Sequence, residues 1–311
     1  MTAPLPQVHE LRPALESQVT MTQGRAGSVA LFAAGEAHRA EPPILLVHSV
    51  NAAASAFEVR PLFLAYSASR PTYALDLPGF GLSDRSDRKY TPRLMTDAIH
   101  QALEEVQARH GGVAVDAVAA SLACEFLARA AAERPAAFRS LSLVSPTAFE
   151  KGSHRRGPPG STRELKAFYA LLANRPWSRP LFRGLTRPSV VRYFLARTWG
   201  GPSIDEELWR YAVETATVAG AEHAPLCFLS GVLFSADINL IYEQLTLPVW
   251  VAHGIRGDFK DFRLQSEFAA RPNWRFQSFP TGALPYFEVL EDFLRKQAAA
   301  LSWPVPTGPV A

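Results

Sequence analysis

The sequence predicts an α/β fold: a mostly parallel central sheet with helices on both faces and a helical cap insertion. Continuous apolar runs such as Ile44–Val47 are typical of parallel strands buried on both faces. These runs alternate with segments that begin like helices, and strands separated by helices pair in parallel through right-handed crossovers. The alternation stops near residue 150 and resumes after residue 222. The insertion therefore interrupts a single α/β core.

The strands follow from their apolar and alternating patterns. They are predicted, in chain order, at residues 19–22, 28–32, 44–47, 73–76, 115–119, 141–144, 249–252 and 275–279. The first two alternate like short early strands, and the others precede turns or helix starts. This order predicts that the parallel strands share one carboxyl-end edge.

Helix starts are predicted from capping residues. Ser55 and Glu58 have the spacing of a capping box, and Thr91 precedes Pro92 as a cap before a first-turn proline. Further helices are predicted at residues 122–132 and 285–301. Two more capping boxes, at residues 161–164 and 203–206, predict helices inside the insertion. The last residues, 303–311, contain three prolines and are expected to be irregular.

Length and composition predict one core domain with an insertion. The 311 residues are divided into a core, 1–149 and 223–311, and a helical cap, 150–222. Residues 1–12 lack the apolar region of a signal peptide, and no apolar run approaches the ~20 residues that cross a bilayer. The isolated Cys124 and Cys227 have no metal-type spacing and suit small buried thiols in a reduced setting. We therefore expect a cytoplasmic protein without metal or organic cofactor.

Positive charge is concentrated between residues 151 and 200. This stretch has 11 Lys and Arg against one acid, Glu164, so it carries +10 and the rest of the chain −7 of the net +3. Aromatic residues are interleaved with the arginines. The stretch is either a solvated helical surface or a surface for anionic substrates, an acidic partner or an acidic membrane. Nucleic-acid binding is not expected, because no recognition module accompanies the charge.

Three segments place candidate functional residues at strand ends. Ser121 lies between two small residues, Ala119 and Ala123, where a strand meets a helix; the alternative is a serine that only caps the helix. The segment 76–84, Asp-Leu-Pro-Gly-Phe-Gly-Leu-Ser-Asp, follows the second parallel strand. The segment 48–51, His-Ser-Val-Asn, follows the first.

Together these segments resemble the α/β-hydrolase family, and the resemblance spans roughly residues 18–301. It implies that Ser121 is the nucleophile at the strand-to-helix turn of a Gly-x-Ser-x-Gly-type elbow. It also implies an oxyanion hole formed by the backbone amides of Val50 and Leu122. His48 is expected to pack below the site. Asn51 is expected either to face the pocket or to stabilise its loop.

The segment 253–258 resembles the Gly-x-x-Asp loop that carries the family's catalytic acid. Counted from Gly254, the acid position is Gly257, and Asp258 follows one residue later. Asp258 is therefore the predicted acid, with Asp261 as a second candidate. The alternative is a Gly-Asp turn without a catalytic role.

The segment 279–288 resembles the family's Gly-His-Leu-Pro-x-Phe-Glu motif, and here Ala283 stands in place of the histidine. Tyr286 and Glu288 flank this position. A serine nucleophile needs a positioned base, and His223 or Asp258 could supply one from elsewhere. The other two possibilities are a reaction without serine attack, such as addition or elimination at a polarised carbonyl, and binding without turnover.

The sequence therefore predicts an atypical serine-type hydrolase of small or amphipathic esters. The alternative is a non-catalytic pseudohydrolase that binds a small molecule under the cap. No feature of the sequence indicates an oligomeric state.

Overall fold

The computed structural model describes residues 11–150, 152, 154–173 and 175–302. Eight strands form one sheet in the order β1-β2-β4-β3-β5-β6-β7-β8. Their bounds are β1 Gln18–Gly24, β2 Gly27–Ala34, β3 Ile44–Val47, β4 Thr72–Leu75, β5 Val115–Ala120, β6 Phe138–Val144, β7 Val249–Gly254 and β8 Trp274–Phe279. Strands β3 to β8 are mutually parallel, whereas β1 pairs antiparallel with β2, and β2 with β4. The predicted mostly parallel sheet is confirmed.

Each predicted strand is present, and the boundaries differ by a few residues. The longest extension is in β6, which begins three residues before its apolar run because Phe138 pairs with Val115 across a register shift. The predicted irregular tail, residues 303–311, and the first ten residues lie outside the described part of the chain.

Twelve α-helices are assigned within the described residues. They are α1 Arg60–Ser67, α2 Pro92–Arg109, α3 Ala123–Glu133, α4 Lys166–Leu172, α5 Arg175–Leu185, α6 Pro188–Trp199, α7 Glu206–Thr215, α8 His223–Leu229, α9 Ile238–Gln244, α10 Gln265–Ala269, α11 Pro285–Glu288 and α12 Leu290–Leu301. The single helix predicted at residues 285–301 is thus two helices, because Val289 leaves the helical conformation at φ −138°. Six helices, α4 to α9, lie between β6 and β7.

The capping predictions have mixed outcomes. Thr91 caps α2, its hydroxyl accepting the Leu94 N–H, and Pro92 is the first helical residue as predicted. The Ser55–Glu58 box is wrong: a 3₁₀ turn, Ala56–Val59, begins there, and the Glu58 carboxylate binds a different loop. In the insertion, Asp205 rather than Ser203 caps α7.

The predicted box at residues 161–164 is also wrong, because no helix starts at Ser161. Its hydroxyl instead donates to the carbonyl of Pro158, and the next residue, Thr162, forms an isolated bridge with Ser235. Turn and bridge contacts thus replace the expected helix start.

Two apolar cores, one on each face, cover the sheet. One contains side chains of α2 and α3, and the other contains side chains of α1 and α12. Burial of both faces explains the continuous apolar runs of β3 and β5. The two cysteines, Cys124 and Cys227, are buried free thiols, as predicted.

The strand order reverses between β3 and β5. The strand following β3 in the chain, β4, lies on one side of it, and β5 lies on the other. In open α/β sheets, ligands bind at such a switch point, beyond the carboxyl ends of the strands. Val47 pairs with Ala119, so residues 48–51 and Ser121 lie at this crevice.

Candidate active site

Ser121 lies in a strained turn between β5 and α3. Its φ of 53° is in the left-handed region, which a residue with a side chain adopts only when the surrounding structure imposes it. Its N–H donates to the Val144 carbonyl at 2.7 Å, which extends the β5–β6 pairing by one residue. Its side chain is only partly buried. The turn therefore presents a serine hydroxyl at the carboxyl-end edge of the sheet.

Leu122 directly follows this turn and is the N-cap residue of α3. The first N–H groups of a helix have no partner within the helix and point along its axis. The amides that follow Ser121 therefore suit a developing negative charge, to which the helix dipole adds a favourable field.

The loop that carries Val50 is fixed by the carboxylate of Glu58. One Glu58 oxygen accepts the Ser49 N–H at 2.9 Å, and the other accepts the Asn51 side-chain N–H at 2.6 Å. The Asn51 side-chain oxygen accepts the Ala53 N–H at 2.8 Å. Asn51 therefore stabilises its own loop, which was one of its two predicted roles. Glu58 is therefore a buried, hydrogen-bonded anchor of this loop.

His48 is completely buried beneath this loop. Its Nε2 accepts the Leu77 N–H at 2.9 Å, so its Nδ1 carries the proton and donates to the Ser49 carbonyl at 2.6 Å. Both ring nitrogens are thus occupied by backbone groups. His48 packs against Phe80 and joins the β3 and β4 loops.

The segment after β4 is organised by Asp76. Its carboxylate accepts the Ala56 N–H at 2.7 Å and the Leu82 N–H at 2.8 Å. A Cβ at Gly81 would lie about 2 Å from this carboxylate, and Gly81 has φ 49°. Glycine is therefore required at position 81, and the segment holds the start of the 3₁₀ turn that contains Glu58.

Asp258, the predicted catalytic acid, is paired with the C-terminal turn of α6. Its carboxylate accepts from Arg197 Nε at 2.5 Å, and its N–H donates to the Arg197 carbonyl at 3.2 Å. The ion pair is exposed, and the hydrogen bond that Arg197 donates to Asp258 raises the pKa of Arg197. The alternative acid, Asp261, pairs with Arg263 at 2.6 Å. Catalytic roles for both carboxylates stay predictions.

Ala283 is buried between the same helix end and the sheet edge. Its N–H donates to the Thr198 carbonyl at 2.9 Å, and its carbonyl accepts from the Ser145 hydroxyl at 2.6 Å. Ser145 directly follows Val144, whose carbonyl binds the Ser121 N–H. Ala283 thus lies at the same sheet edge as Ser121, connected to it through the end of β6.

This architecture agrees with a comparison of the sequence with known families. A model of the α/β hydrolase fold family matches residues 42–200, just over half of the chain. This chain belongs to the α/β-hydrolase fold family.

Solved structures of α/β-hydrolase-fold proteins are similar over nearly the whole chain. One is a probable hydrolytic enzyme from Pseudomonas aeruginosa, with 18% identity, a TM-score of 0.67, and coverage of 94% of this chain and 96% of that chain. Another is a carboxylesterase from Bacillus subtilis, with 16% identity, a TM-score of 0.63 and 92% coverage of both chains. At these identities the similarity supports the fold. No curated protein matches the sequence.

The α/β-hydrolase fold also positions one aromatic side chain, Tyr286, and one acidic side chain, Glu288, near Ala283. Tyr286 is buried, and burial, reinforced by the nearby Glu58, raises the pKa of its hydroxyl well above 10.0. Its hydroxyl has no hydrogen-bond partner among the described residues. Glu288 accepts the Gly282 N–H at 2.7 Å and pairs with Arg256, so it fixes the loop that contains Ala283.

The histidine considered as a substitute base, His223, has another partner, and so does His253 in β7. His253 stacks on Phe262, its Nδ1 lies 3.0 Å from the Gly254 carbonyl, and burial lowers its pKa. His223 lies 3.5 Å from Asp87, in a small cavity lined by α4, α5 and α8 residues. Within the described chain, no cluster of His, Cys, Asp or Glu could hold a metal ion.

Two residues that organise the site were missed in the sequence. Glu58 was interpreted as part of a helix cap, and Arg197 as one of many surface arginines. For Glu58 a signal was available: an acid within an otherwise apolar turn, Ala56–Val59, needs a buried partner. Arg197 had no such signal, because its partner is 61 residues away.

Proposed function

We propose that this protein is an atypical serine-type hydrolase of small or amphipathic esters, with Ser121 as its nucleophile. The supporting observation is the φ of 53° at Ser121, directly after a parallel strand and before the α3 start. Strain of this kind persists when the surrounding structure imposes it, and it clusters at active sites. A serine that merely capped a helix would have extended backbone geometry instead.

The oxyanion site of this proposal consists of the Val50 and Leu122 amides. Glu58 fixes the Val50 loop from below through Ser49 and Asn51. The α3 N-terminus supplies the second amide. In well-studied enzymes, removing one donor from such a site lowers turnover by about 10²–10³-fold. Because the proposed site has both donors, we expect this half of it to contribute to catalysis.

The base half of the site lacks an imidazole. In well-studied serine hydrolases, loss of the histidine lowers turnover by about 10⁶-fold. Esters of acidic phenols are the substrates least affected, because their leaving group departs without a proton from a general acid. We therefore expect slow turnover of activated aryl esters, with water or a neighbouring carboxylate taking the serine proton.

The helices between β6 and β7 complete the proposed site. We assign residues 150–222 as a cap over the sheet edge, with the core formed by residues 1–149 and 223–311. The supporting contact lies at the C-terminal end of α6, where the Thr198 carbonyl accepts the Ala283 N–H. Tyr286 forms part of the pocket beneath this cap in the proposal.

Hydrolysis of a p-nitrophenyl ester by the purified full-length chain tests the proposal. We expect a slow rate above buffer that Ser121→Ala abolishes. The matched control is Ser145→Ala on the neighbouring strand, a serine that also has a positive φ, of 47°. Equal rates for wild type and Ser121→Ala, or loss of the rate only in Ser145→Ala, would contradict the assignment of Ser121.

A second candidate function is a pseudohydrolase that binds a small molecule without turnover. The observation that favours it is that the end of α6 binds both loops on the base side. Arg197 pairs with Asp258, and the Thr198 carbonyl accepts the Ala283 N–H. This candidate predicts that ester analogues raise the melting temperature although no ester is hydrolysed. Turnover that depends on Ser121 would exclude it.

A further inference from the structure

Exposed apolar side chains are concentrated on the helices that follow β6. Thirteen large apolar side chains are exposed among the described residues, and seven of them lie between residues 165 and 194. The seven are Leu165, Phe168, Leu171, Trp177, Leu181, Tyr193 and Phe194. A cluster of this size on a folded chain marks an interaction surface more often than chance exposure.

Helix geometry places four of these side chains in two rows, and Leu165 is the N-cap residue of α4, next to the first row. Phe168 and Leu171 are three residues apart in α4, just after Leu165, and Trp177 and Leu181 are four apart in α5. Such spacings put side chains on one face of a helix. Trp177 is the most exposed of them at 67%. We call these five residues, with the cations that adjoin them, the α4–α5 surface.

The charge of this region is smaller than the sequence suggested, because part of it is neutralised. Five cations of the basic stretch pair with acids outside it: Arg155 with Glu125, Arg156 with Glu243, Arg179 with Glu222, Arg192 with Glu206 and Arg197 with Asp258. Within the described residues, Lys166, Arg183 and Arg187 are exposed and take part in no ion pair. Lys166 is in α4 and Arg183 is in α5, the helices that carry the apolar rows, and Arg187 is the N-cap residue of α6. We include these three cations in the α4–α5 surface.

We propose that the α4–α5 surface binds the face of an anionic phospholipid bilayer. Helices that lie in a membrane interface combine Trp, Phe and Leu with Lys and Arg, which is the combination found here. Tryptophan prefers the headgroup level of a bilayer. Protein interfaces are also enriched in Trp, Phe and Arg, so an acidic protein is the competing partner that the test must distinguish. The proposal does not depend on catalysis.

Cosedimentation of the full chain with vesicles tests this proposal. We expect binding to phosphatidylcholine vesicles that contain phosphatidylserine and little binding to phosphatidylcholine alone. Raising the salt to 1 M shortens the Debye length from ~8 to ~3 Å and should release the protein. Because each cation near an anionic surface contributes about a factor of five, Arg183→Gln with Arg187→Gln should weaken binding about 25-fold.

The apolar contribution is tested separately with Trp177→Ser and Leu181→Ser, which we expect to weaken binding by about tenfold or more. Matched controls are Leu64→Ser on α1 and Arg25→Gln at the β1–β2 turn, both exposed and both on the core domain. These controls should bind like wild type. Melting temperatures of all variants should stay close to that of wild type, since each altered side chain is exposed.

Tryptophan fluorescence gives a direct readout of insertion. Phosphatidylserine vesicles should shift the emission to shorter wavelength and protect it from acrylamide, and Trp177→Phe should remove both effects. Equal binding to neutral and anionic vesicles, no binding to either, or the same loss in the controls would overturn the proposal. So would binding of acidic polypeptides as tight as that of vesicles, which would indicate an acidic protein partner.

Discussion

The two halves of the candidate site are built by different means. On the nucleophile side, the loops after β3 and β4 are fixed by the buried carboxylates of Glu58 and Asp76. The turn after β5 is held by the bond from the Ser121 N–H to the Val144 carbonyl. On the base side, the loops after β7 and β8 are fixed by the end of α6, through Arg197 and Thr198. The first half is therefore held by buried carboxylates, and the second is held by contacts with the end of α6.

In the proposal, Ala283 stands in place of the family's histidine, and this difference explains why the fold tolerates alanine there. Ala283 is held by backbone hydrogen bonds at both its N–H and its carbonyl, and neither bond requires an imidazole. Gly282 also packs closely against α6: a Cβ at this position would lie 2.5 Å from the Thr198 carbonyl oxygen. Close packing of α6 on this loop is thus a structural constraint separate from catalysis.

The largest expected effect comes from restoring the base. Ala283→His should raise aryl-ester hydrolysis by on the order of 10²-fold, because a positioned general base contributes about 10²–10⁴-fold. Adding Arg197→Gln should raise it further by freeing Asp258 to orient the ring. Ala283→Gln is the control of similar size without a basic nitrogen. An equal rise in Ala283→Gln, or no rise in either variant, would place Ala283 outside the site.

A second prediction addresses the nucleophile half. Glu58→Ala should lower the free energy of unfolding by about 2–3 kcal/mol, because it removes the carboxylate that accepts the Ser49 N–H and the Asn51 side chain. Urea unfolding measures this loss. The control is Glu207→Ala, whose exposed ion pair with Arg60 contributes at most about 1 kcal/mol. Equal losses in the two variants would show that Glu58 is not an anchor.

The third prediction concerns Tyr286, whose buried hydroxyl lacks a partner among the described residues. Tyr286→Phe should raise the free energy of unfolding by about 1 kcal/mol, since it removes an unsatisfied polar group. A loss of stability in urea would reveal a hydrogen bond that this account lacks. If Tyr286 contacts ligand, the same variant should weaken binding of ester analogues while the free protein gains stability.

The smallest effect is expected at Asp258. Asp258→Asn should change stability by less than about 1 kcal/mol, because its ion pair with Arg197 is exposed to solvent. Aryl-ester hydrolysis should also change little, since the carboxylate binds Arg197 rather than a base. Loss of the Ser121-dependent rate in Asp258→Asn would instead identify Asp258 as the group that takes the serine proton.

Most of the fold could be predicted from the sequence because its signals are local. The apolar run Ile44–Val47 and the Thr91–Pro92 cap depend on neighbouring residues, and both predictions are confirmed. The Ser55–Glu58 box failed although its spacing was correct. The Glu58 carboxylate instead accepts a hydrogen bond from the buried N–H of Ser49, nine residues earlier in the chain.

The candidate site was predictable only in part. The position of Ser121 at a strand-to-helix turn follows from the order of elements, which sequence patterns reveal. The partners of Asp258 and Ala283 do not follow from it. Helices α7 to α9 separate Arg197 from Asp258, and α7 to α10 separate Thr198 from Ala283. Hydrogen bonds between distant segments leave no periodic trace in a sequence.

Labelling with a fluorophosphonate probe, followed by mass spectrometry of the modified peptide, tests the central claim most directly. This account predicts slow, single-site phosphonylation of Ser121 that is absent in Ser121→Ala and faster in Ala283→His. Modification at another serine, or none after prolonged exposure although the protein is folded, would contradict the assignment of Ser121 as nucleophile and leave the pseudohydrolase as the better account.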